Sequence, residues 1–303
     1  MTGTSTINLS NQSEGFAITG TAGNNSITGG SGADNINAGI GADTINGFVG
    51  SDTVNGGTGT DTIALLATSS TLNSATNAQI VSIEAISAAS ATAAVTIDLS
   101  NQTEGFTITG GTGNDTITGG SGDDSISGGS GADLYNFSQV TNALNGADTI
   151  TGFATGTDDL GLLASKTSAL TLAGGSIAWQ VNSSSANNNN PLTLTNFSNY
   201  DVWELTFSNS TTNGSVDLGA STDGTELFKQ LCSGNISNNA ISGLAVGGSN
   251  LEAYFVAYDN GNAYLYHGNS GVNNTIAATE IQLIGVLNTI SSAALSATDA
   301  ILN

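Results

Sequence analysis

From Leu9 onward a large apolar or aromatic side chain recurs every ninth residue: Ile18, Ile27, Ile36, Ile45, Val54, Ile63, Leu72 and Val81, then, past Ser90, Leu99, Ile108, Ile117, Ile126, Tyr135, Leu144, Phe153 and Leu162. Thr, Ser or Asn flank most of them. Each triplet therefore reads as a very short strand, with its middle residue turned into a core and its neighbours outward. The single phase predicts one coil running through residues 1–162.

Between these strands the chain is written in nonapeptides. Residues 20–64 read GTAGNNSIT, GGSGADNIN, AGIGADTIN, GFVGSDTVN and GGTGTDTIA, and residues 110–136 read GGTGNDTIT, GGSGDDSIS and GGSGADLYN. Glycines permit positive φ and close backbone approach, so six residues can make a tight turn with inward carbonyls. The segment INLSNQSEGFAITG at 7–20 returns as IDLSNQTEGFTITG at 97–110, an offset of 90 residues or ten nonapeptides, which predicts an unbroken register. Residues 65–100 carry Ser70, Gln79 and Ala88 where the repeats have Asp, so 65–109 are expected to be metal-free coils of the same solenoid.

Charge sharpens this picture. The 303 residues hold 24 Asp and Glu against 2 Lys and Arg, a formal charge of −22, although only 9% of residues are charged. Nucleic acid and anionic membrane are excluded as partners on this ground. Carboxylates without cations must repel one another, stay solvated, or recruit metal ions. Cys232 is the single cysteine, so no intrachain disulfide forms and the thiol is expected to be buried. There is no run of 18 apolar residues, and the start MTGTSTINLS has neither the basic nor the apolar part of a signal peptide.

Eight near-consecutive copies of G-G-x-G-x-D-x-U-x, with U a large apolar residue, resemble the repeat-in-toxin (RTX), or hemolysin-type calcium-binding, family. The resemblance implies an all-β fold: a parallel β-roll, or β-solenoid, of nonapeptide repeats, followed by a mostly-β capping domain over residues 163–303. In such a roll two nonapeptides make one turn, so alternate repeats stack. Their aspartates then lie about 4.8 Å apart, and two bare carboxylates at that distance repel by about 1 kcal/mol even in water.

A hard divalent cation reverses that sign. Stacking pairs Asn25 with Asp43, Asp34 with Asp52, Asp43 with Asp61, and Asp115 with Asp133, with Asn25 offering a carbonyl oxygen. Asp124 belongs to the column, but Asn142 stands two repeats on. The motif GADTITGF at 146–153 is similar to the family's last coil, and on that resemblance Asp148 closes the final site. The turn glycines expected to contribute backbone are Gly30, Gly32, Gly39, Gly41, Gly50, Gly57 and Gly59 in the first block, and Gly111, Gly113, Gly120, Gly122, Gly129 and Gly131 in the second. Several Ca2+ ions are expected, because calcium accepts many flexible oxygens whereas magnesium demands a tight octahedron. Zinc is disfavoured, since His267 and Cys232 are single and far apart. Folding and binding become one equilibrium. At the roughly 0.1 to 1 mM affinity of extracellular modules, such a roll stays open inside a cell and closes outside.

Beyond 162 the strict period ends. STDGTELFKQL at 221–231 reads as a helix capped by Asp223 and Glu226, and LEAYFVAYDNGNAYLYHG at 251–268 as a hairpin turning at Asp259, Asn260 and Gly261. Tyr254, Tyr258, Tyr264 and Tyr266 fit cross-strand packing better than a carbohydrate platform. The end SATDAILN, an aspartate before Ala300, Ile301 and Leu302, resembles the uncleaved signal read by type I secretion machinery in this family.

Catalysis is not expected. There is no H-E-x-x-H and no G-x-S-x-G, and the repeats begin almost at Met1, leaving no room for a preceding catalytic domain unless the chain is a fragment. The acidic, Ser/Thr/Asn/Gly-rich composition is similar to that of bacterial surface-layer proteins. The expected function is a secreted structural protein assembling with copies of itself into a calcium-dependent cell-surface layer or sheath, with outer-membrane surface glycans as a further partner. An adhesin or binding module using the roll as a spacer is the alternative.

Overall fold

The structure is a computed structural model that describes residues 3–137 and 145–162, and beyond them 179–182, 202–205, 244–245, 252–259, 261–269, 275–276, 281–290, 295 and 299–302. Two compact units divide the chain, the first comprising residues 1–136, 144–148 and 157–159. This first unit is a parallel solenoid. One face stacks the strands Thr6–Asn8, Ser26–Thr28, Thr44–Asn46, Thr62–Ala64, Ala85–Ser87, Thr107–Thr109 and Ser125–Ser127. The opposite face stacks Ala17–Thr19, Asn35–Ile40, Thr53–Thr58 and Ile80–Val81, and then, as a separate ladder, Thr96–Asp98, Thr116–Thr118 and Leu134–Phe137.

The short strands follow from their own alternation. In each triplet the middle side chain faces inward: Ile27, Ile45, Ile63, Ile86, Ile108 and Ile126 from the first face, and Ile18, Ile36, Val54, Ile80, Ile97, Ile117 and Tyr135 from the second, are all buried. Each such side chain removes enough apolar surface from water to contribute about 1.5–3 kcal/mol. The flanking Thr, Ser and Asn mostly point outward. The all-β roll holds, and no strict nine-residue step is needed to keep it.

The middle of the roll departs from that step. Eighteen residues separate Ile45 from Ile63 along the first face, but 23 separate Ile63 from Ile86 and 22 separate Ile86 from Ile108. The five half-turns that nonapeptides would place between Ile63 and Ile108 are thus four. As a result the duplicated segments lie on opposite faces, with Ile18 on the second face and its counterpart Ile108 on the first.

A one-turn helix, Ser70–Asn73, absorbs the difference. Ser69 caps it by accepting from the Leu72 N–H at 3.1 Å, and the hydroxyls of Ser69 and Thr71 both donate to the Phe48 carbonyl. Asn73 donates to the Thr96 carbonyl at 3.1 Å and accepts from the Asp98 N–H at 3.1 Å, so one side chain satisfies backbone that a neighbouring strand would otherwise satisfy. Leu72 is buried as the period required, but from a helix. The expected core residue Val81 is 41% exposed and Ile80 takes its place at 2%. Ser90 lies in a turn, Leu99 is buried just past the strand whose centre is Ile97, and Phe153 follows the strand Asp148–Ile150, where Ile150 is the core residue.

The second unit takes in residues 137–143, 149–156 and 160–303. Trp179–Asn182, Val202–Leu205 and Glu252–Asp259 run parallel, and Glu252–Asp259, Asn262–Asn269 and Ile281–Leu287 form an antiparallel meander. The hairpin turns as its sequence requires, with Gly261 at φ 79°. Tyr254, Tyr264 and Tyr266 are buried in this sheet, so they pack and present no platform. The end of the chain is a strand in which Ala300, Ile301 and Leu302 pair in parallel with Leu160, Gly161 and Leu162. Asp299 before it is buried and accepts from the Gly156 N–H. The helix expected at 221–231 lies outside the described residues.

The shifted register makes a direct prediction. In calcium-saturated protein, Ile80→Ala should lower unfolding stability by about 2–5 kcal/mol, whereas Val81→Ala should stay within about 0.5 kcal/mol of the parent. Denaturant titration of both variants checks this, and the reverse order would restore the unbroken nine-residue register.

Candidate metal centre

The aspartates of the repeats form ladders along the edges of the roll, each carboxylate accepting a backbone N–H from the coil before it. On one edge Asn25 N–H donates to Asp43 Oδ1 (2.6 Å), Asp43 N–H to Asp61 Oδ1 (2.7 Å), and Asp61 N–H to Glu84 Oε2 (2.7 Å). On the other, Phe16 N–H donates to Asp34 Oδ1 (2.8 Å) and Asp34 N–H to Asp52 Oδ1 (2.9 Å). In the second block Val95 N–H reaches Asp115 (2.8 Å), Asp115 N–H reaches Asp133 (2.9 Å) and Asp133 N–H reaches Asp158 (3.0 Å). Phe106 N–H reaches Asp124 (2.6 Å), and Asp124 N–H reaches Asp148 (3.0 Å).

The structure therefore brings together every aspartate pair drawn from the repeats, and it sets Asp148 above Asp124, while Asn142 lies outside the described residues. Asn25 is placed differently from its expected role. Its Oδ1 accepts from Ser5 N–H (3.2 Å) and the Thr21 hydroxyl (2.8 Å), and its amide nitrogen donates to Asp43 Oδ1 (2.9 Å). Glu84 and Asp158 continue two of the ladders and were not foreseen. They lie 23 and 25 residues after Asp61 and Asp133, so an 18-residue stacking rule passes over them.

The second carboxylate oxygen carries the chemistry. Asp52 Oδ2 accepts from Val49 N–H (3.0 Å) and Asp115 Oδ2 from Gly111 N–H (2.6 Å), but Oδ2 of Asp34, Asp43, Asp61 and Asp124 is buried with no hydrogen-bond partner. A buried unpaired charge is costly by several kcal/mol. The roll's own side chains offer no cation to relieve it: residues 1–165 contain no Lys, Arg or His.

The first glycine of the repeat leaves room for the second carboxylate oxygen beside it. A Cβ on Gly29, Gly119 or Gly128 would strike Oδ2 of Asp34, Asp124 or Asp133. Stacking of the turns makes the other glycines necessary. Gly57 (φ 99°) and Gly59 (φ 139°) sit directly over the carbonyls of Gly39 and Gly41, where a side chain would collide with backbone. Among the described residues no three His, Cys, Asp or Glu side chains converge. An ion held here would take one carboxylate per loop and fill the rest of its shell with turn carbonyls and water. That all-oxygen, irregular set fits calcium.

Proton equilibria report the same strain. Burial, reinforced by Asp123, pushes the Asp124 carboxyl up to about 7. Burial and the neighbouring Asp124 push Asp148 up to about 9. Burial raises Asp52, Asp61 and Asp133 as well, and Coulombic repulsion adds to it from Asp34 for Asp52, from Asp43 and Glu84 for Asp61, and from Asp158 and Asp115 for Asp133. His267, in the second unit, is 3% exposed with its ring centroid 5.0 Å from that of Tyr254; burial holds it down to about 4, so it is neutral at pH 7.

The sequence profile of the RTX calcium-binding nonapeptide repeat (4 copies) matches residues 17–45, 29–63 and 107–135. Those segments contain the ladder aspartates from Asp34 to Asp61 and from Asp115 to Asp133, and calcium is their ion. No curated protein matches the chain.

A carboxyl raised in the folded roll keeps a proton that the unfolded chain has lost, so metal-free stability falls as pH climbs from the ordinary 3.8 through about 9. In EGTA, the far-ultraviolet β-signal should therefore grow on acidification to about pH 5 and shrink on raising to about pH 9. Saturating calcium should flatten the profile above neutrality. A metal-free roll that gains structure with rising pH would contradict the assignment.

Proposed function

The chain is an RTX β-roll protein, and on that premise we propose that it is a secreted structural protein whose roll closes only on meeting calcium outside the cell, and which then assembles with copies of itself into a surface layer or sheath. The observation that carries this reading is the set of buried, unpartnered aspartate oxygens in a segment without a single basic side chain. Such a segment cannot neutralise itself, so its folding is tied to an external cation. Calcium affinities of about 0.1–1 mM would leave the chain open in a cytoplasm and fold it in an extracellular medium. An open chain suits passage through a type I secretion channel, with the tail from Asp299 as the address read during export.

The structural role is supported by what the roll presents. Its strand faces mostly turn Ser, Thr and Asn outward, and its charge of one sign disfavours nucleic acid and anionic lipid. A rigid rod with regular polar faces serves lateral packing better than catalysis, and calcium can also screen repulsion between neighbouring copies. Surface glycans would anchor such a layer.

Electron microscopy of purified protein tests the proposal. Sheets, tubes or ordered filaments should form in millimolar calcium and disperse with EGTA. Folded, dispersed particles in calcium would overturn the assembly and favour the adhesin reading.

A further inference from the structure

Glu84 lies outside the matched repeats, on a coil without glycines, yet it stands over Asp61 as Asp133 stands over Asp115. Asp61 N–H donates to Glu84 Oε2 at 2.7 Å, and Asp115 N–H to Asp133 Oδ1 at 2.9 Å. The likeness extends to the backbone. A Cβ on Gly110 would strike both the Gly128 carbonyl oxygen and Asp115 Oδ2, and a Cβ on Gly56 would strike both the Ser82 carbonyl oxygen and Asp61 Oδ2. The carboxylate oxygen lies 2.6 Å from that point in each case. Ser82 thus delivers its carbonyl where the repeat delivers that of Gly128, and it does so at φ 50°, in the left-handed region that favours glycine. Two residues lead from Ser82 to Glu84 where five lead from Gly128 to Asp133, and the longer glutamate side chain spans the shortfall.

The two edges of the first block end differently. On the edge of Asp52 the next coil supplies Gln79, whose amide nitrogen donates to the Asp52 carbonyl at 3.1 Å, while Asp52 Oδ2 takes the Val49 N–H. That edge closes with neutral groups and no free acceptor on the carboxylate. On the edge of Asp61 the next coil supplies a second carboxylate, and Asp61, 0% exposed, keeps Oδ2 buried without any partner. A neutral glutamine would have closed this edge too. A carboxylate set over an unsatisfied carboxylate oxygen adds repulsion that a divalent cation between the coils turns into attraction.

We propose that Asp61 Oδ2, the Ser82 carbonyl and Glu84 hold a further divalent cation, calcium by the hardness of the donors, one coil beyond the last glycine repeat of the first block. The inference rests on the calcium reading of the repeats and extends it to a loop that lacks their motif. Glu84 is exposed, so water completes this shell and the ion exchanges more readily than those inside the block. Bound there, it fastens the irregular coil that carries the Ser70–Asn73 helix to the end of the first repeat block.

Counting bound calcium per chain tests it, using the whole protein equilibrated at a calcium level that saturates the parent. Glu84→Gln keeps an acceptor for the Asp61 N–H, and Glu84→Ala removes it. Both variants should bind one ion fewer than the parent, with the affinity of the remaining ions changed by less than about twofold. An equal count in parent and variants overturns the proposal. Should neither variant fold, parent crystals grown with terbium decide: an anomalous peak about 2.3–2.6 Å from Asp61 Oδ2 supports it, and filled repeat corners with none at Asp61 and Glu84 overturn it. A parent chain that binds no calcium at all would overturn the reading of the repeats beneath it as well.

Discussion

Carboxylates stacked a strand's width apart and buried, in a stretch of sequence without a basic residue, are the constraint on which this molecule turns. The apolar column of Ile, Val and Tyr side chains drives the coil to close, and the ladder of Asp oxygens resists closure until a cation enters. Backbone amides relieve half of each carboxylate: Oδ1 of Asp43 takes Asn25 N–H and Oδ1 of Asp34 takes Phe16 N–H. The other half stays unsatisfied at Asp34, Asp43, Asp61 and Asp124. Metal and proton compete for such oxygens, and burial lets Asp124 and Asp148 hold protons to unusually high pH.

Glycine serves this arrangement in two separable ways. At Gly57 and Gly59 it lets successive turns approach until carbonyl lies over Cα, in conformations that other residues avoid. At Gly29, Gly119 and Gly128 it leaves room for the second carboxylate oxygen of Asp34, Asp124 and Asp133. The polar Ser, Thr and Asn positions then have only to face water. A chain built this way needs very few charged residues beyond those the metal requires, in keeping with a charged fraction of 9%.

The repeat blocks were legible because two signals coincide in them. The apolar residue fixes which side of the coil a triplet faces, and the aspartate five places after the leading glycine fixes the edge. Where the aspartate drops out, after Asp61, the apolar period alone misplaces Val81 and Ile80 by one residue and counts one half-turn too many before Ile108. The phase returns at Ile108 only because 23 and 22 residues together equal five nonapeptides. Nothing in a nine-residue count could reveal that Ser69 caps a helix there, or that Asn73 satisfies the Thr96–Asp98 backbone. Glu84 and Asp158 escaped for the same reason, being ladder members at irregular spacing. In the C-terminal unit the Asn260–Gly261 turn signalled its hairpin, while the parallel pairing of Ala300–Leu302 with residues 160–162 joins segments far apart in sequence and left no local trace.

Amide hydrogen exchange at pH 7.5 addresses the central claim most directly, because the ladder is made of named N–H groups. With calcium bound, the amides of Asn25, Asp34, Asp43, Phe106 and Asp115, each donating to a carboxylate one coil on, should exchange slowly, and after chelation they should exchange as in an unfolded chain. Equal protection of these amides with and without calcium would contradict the account, since the roll would then close over its carboxylates unaided.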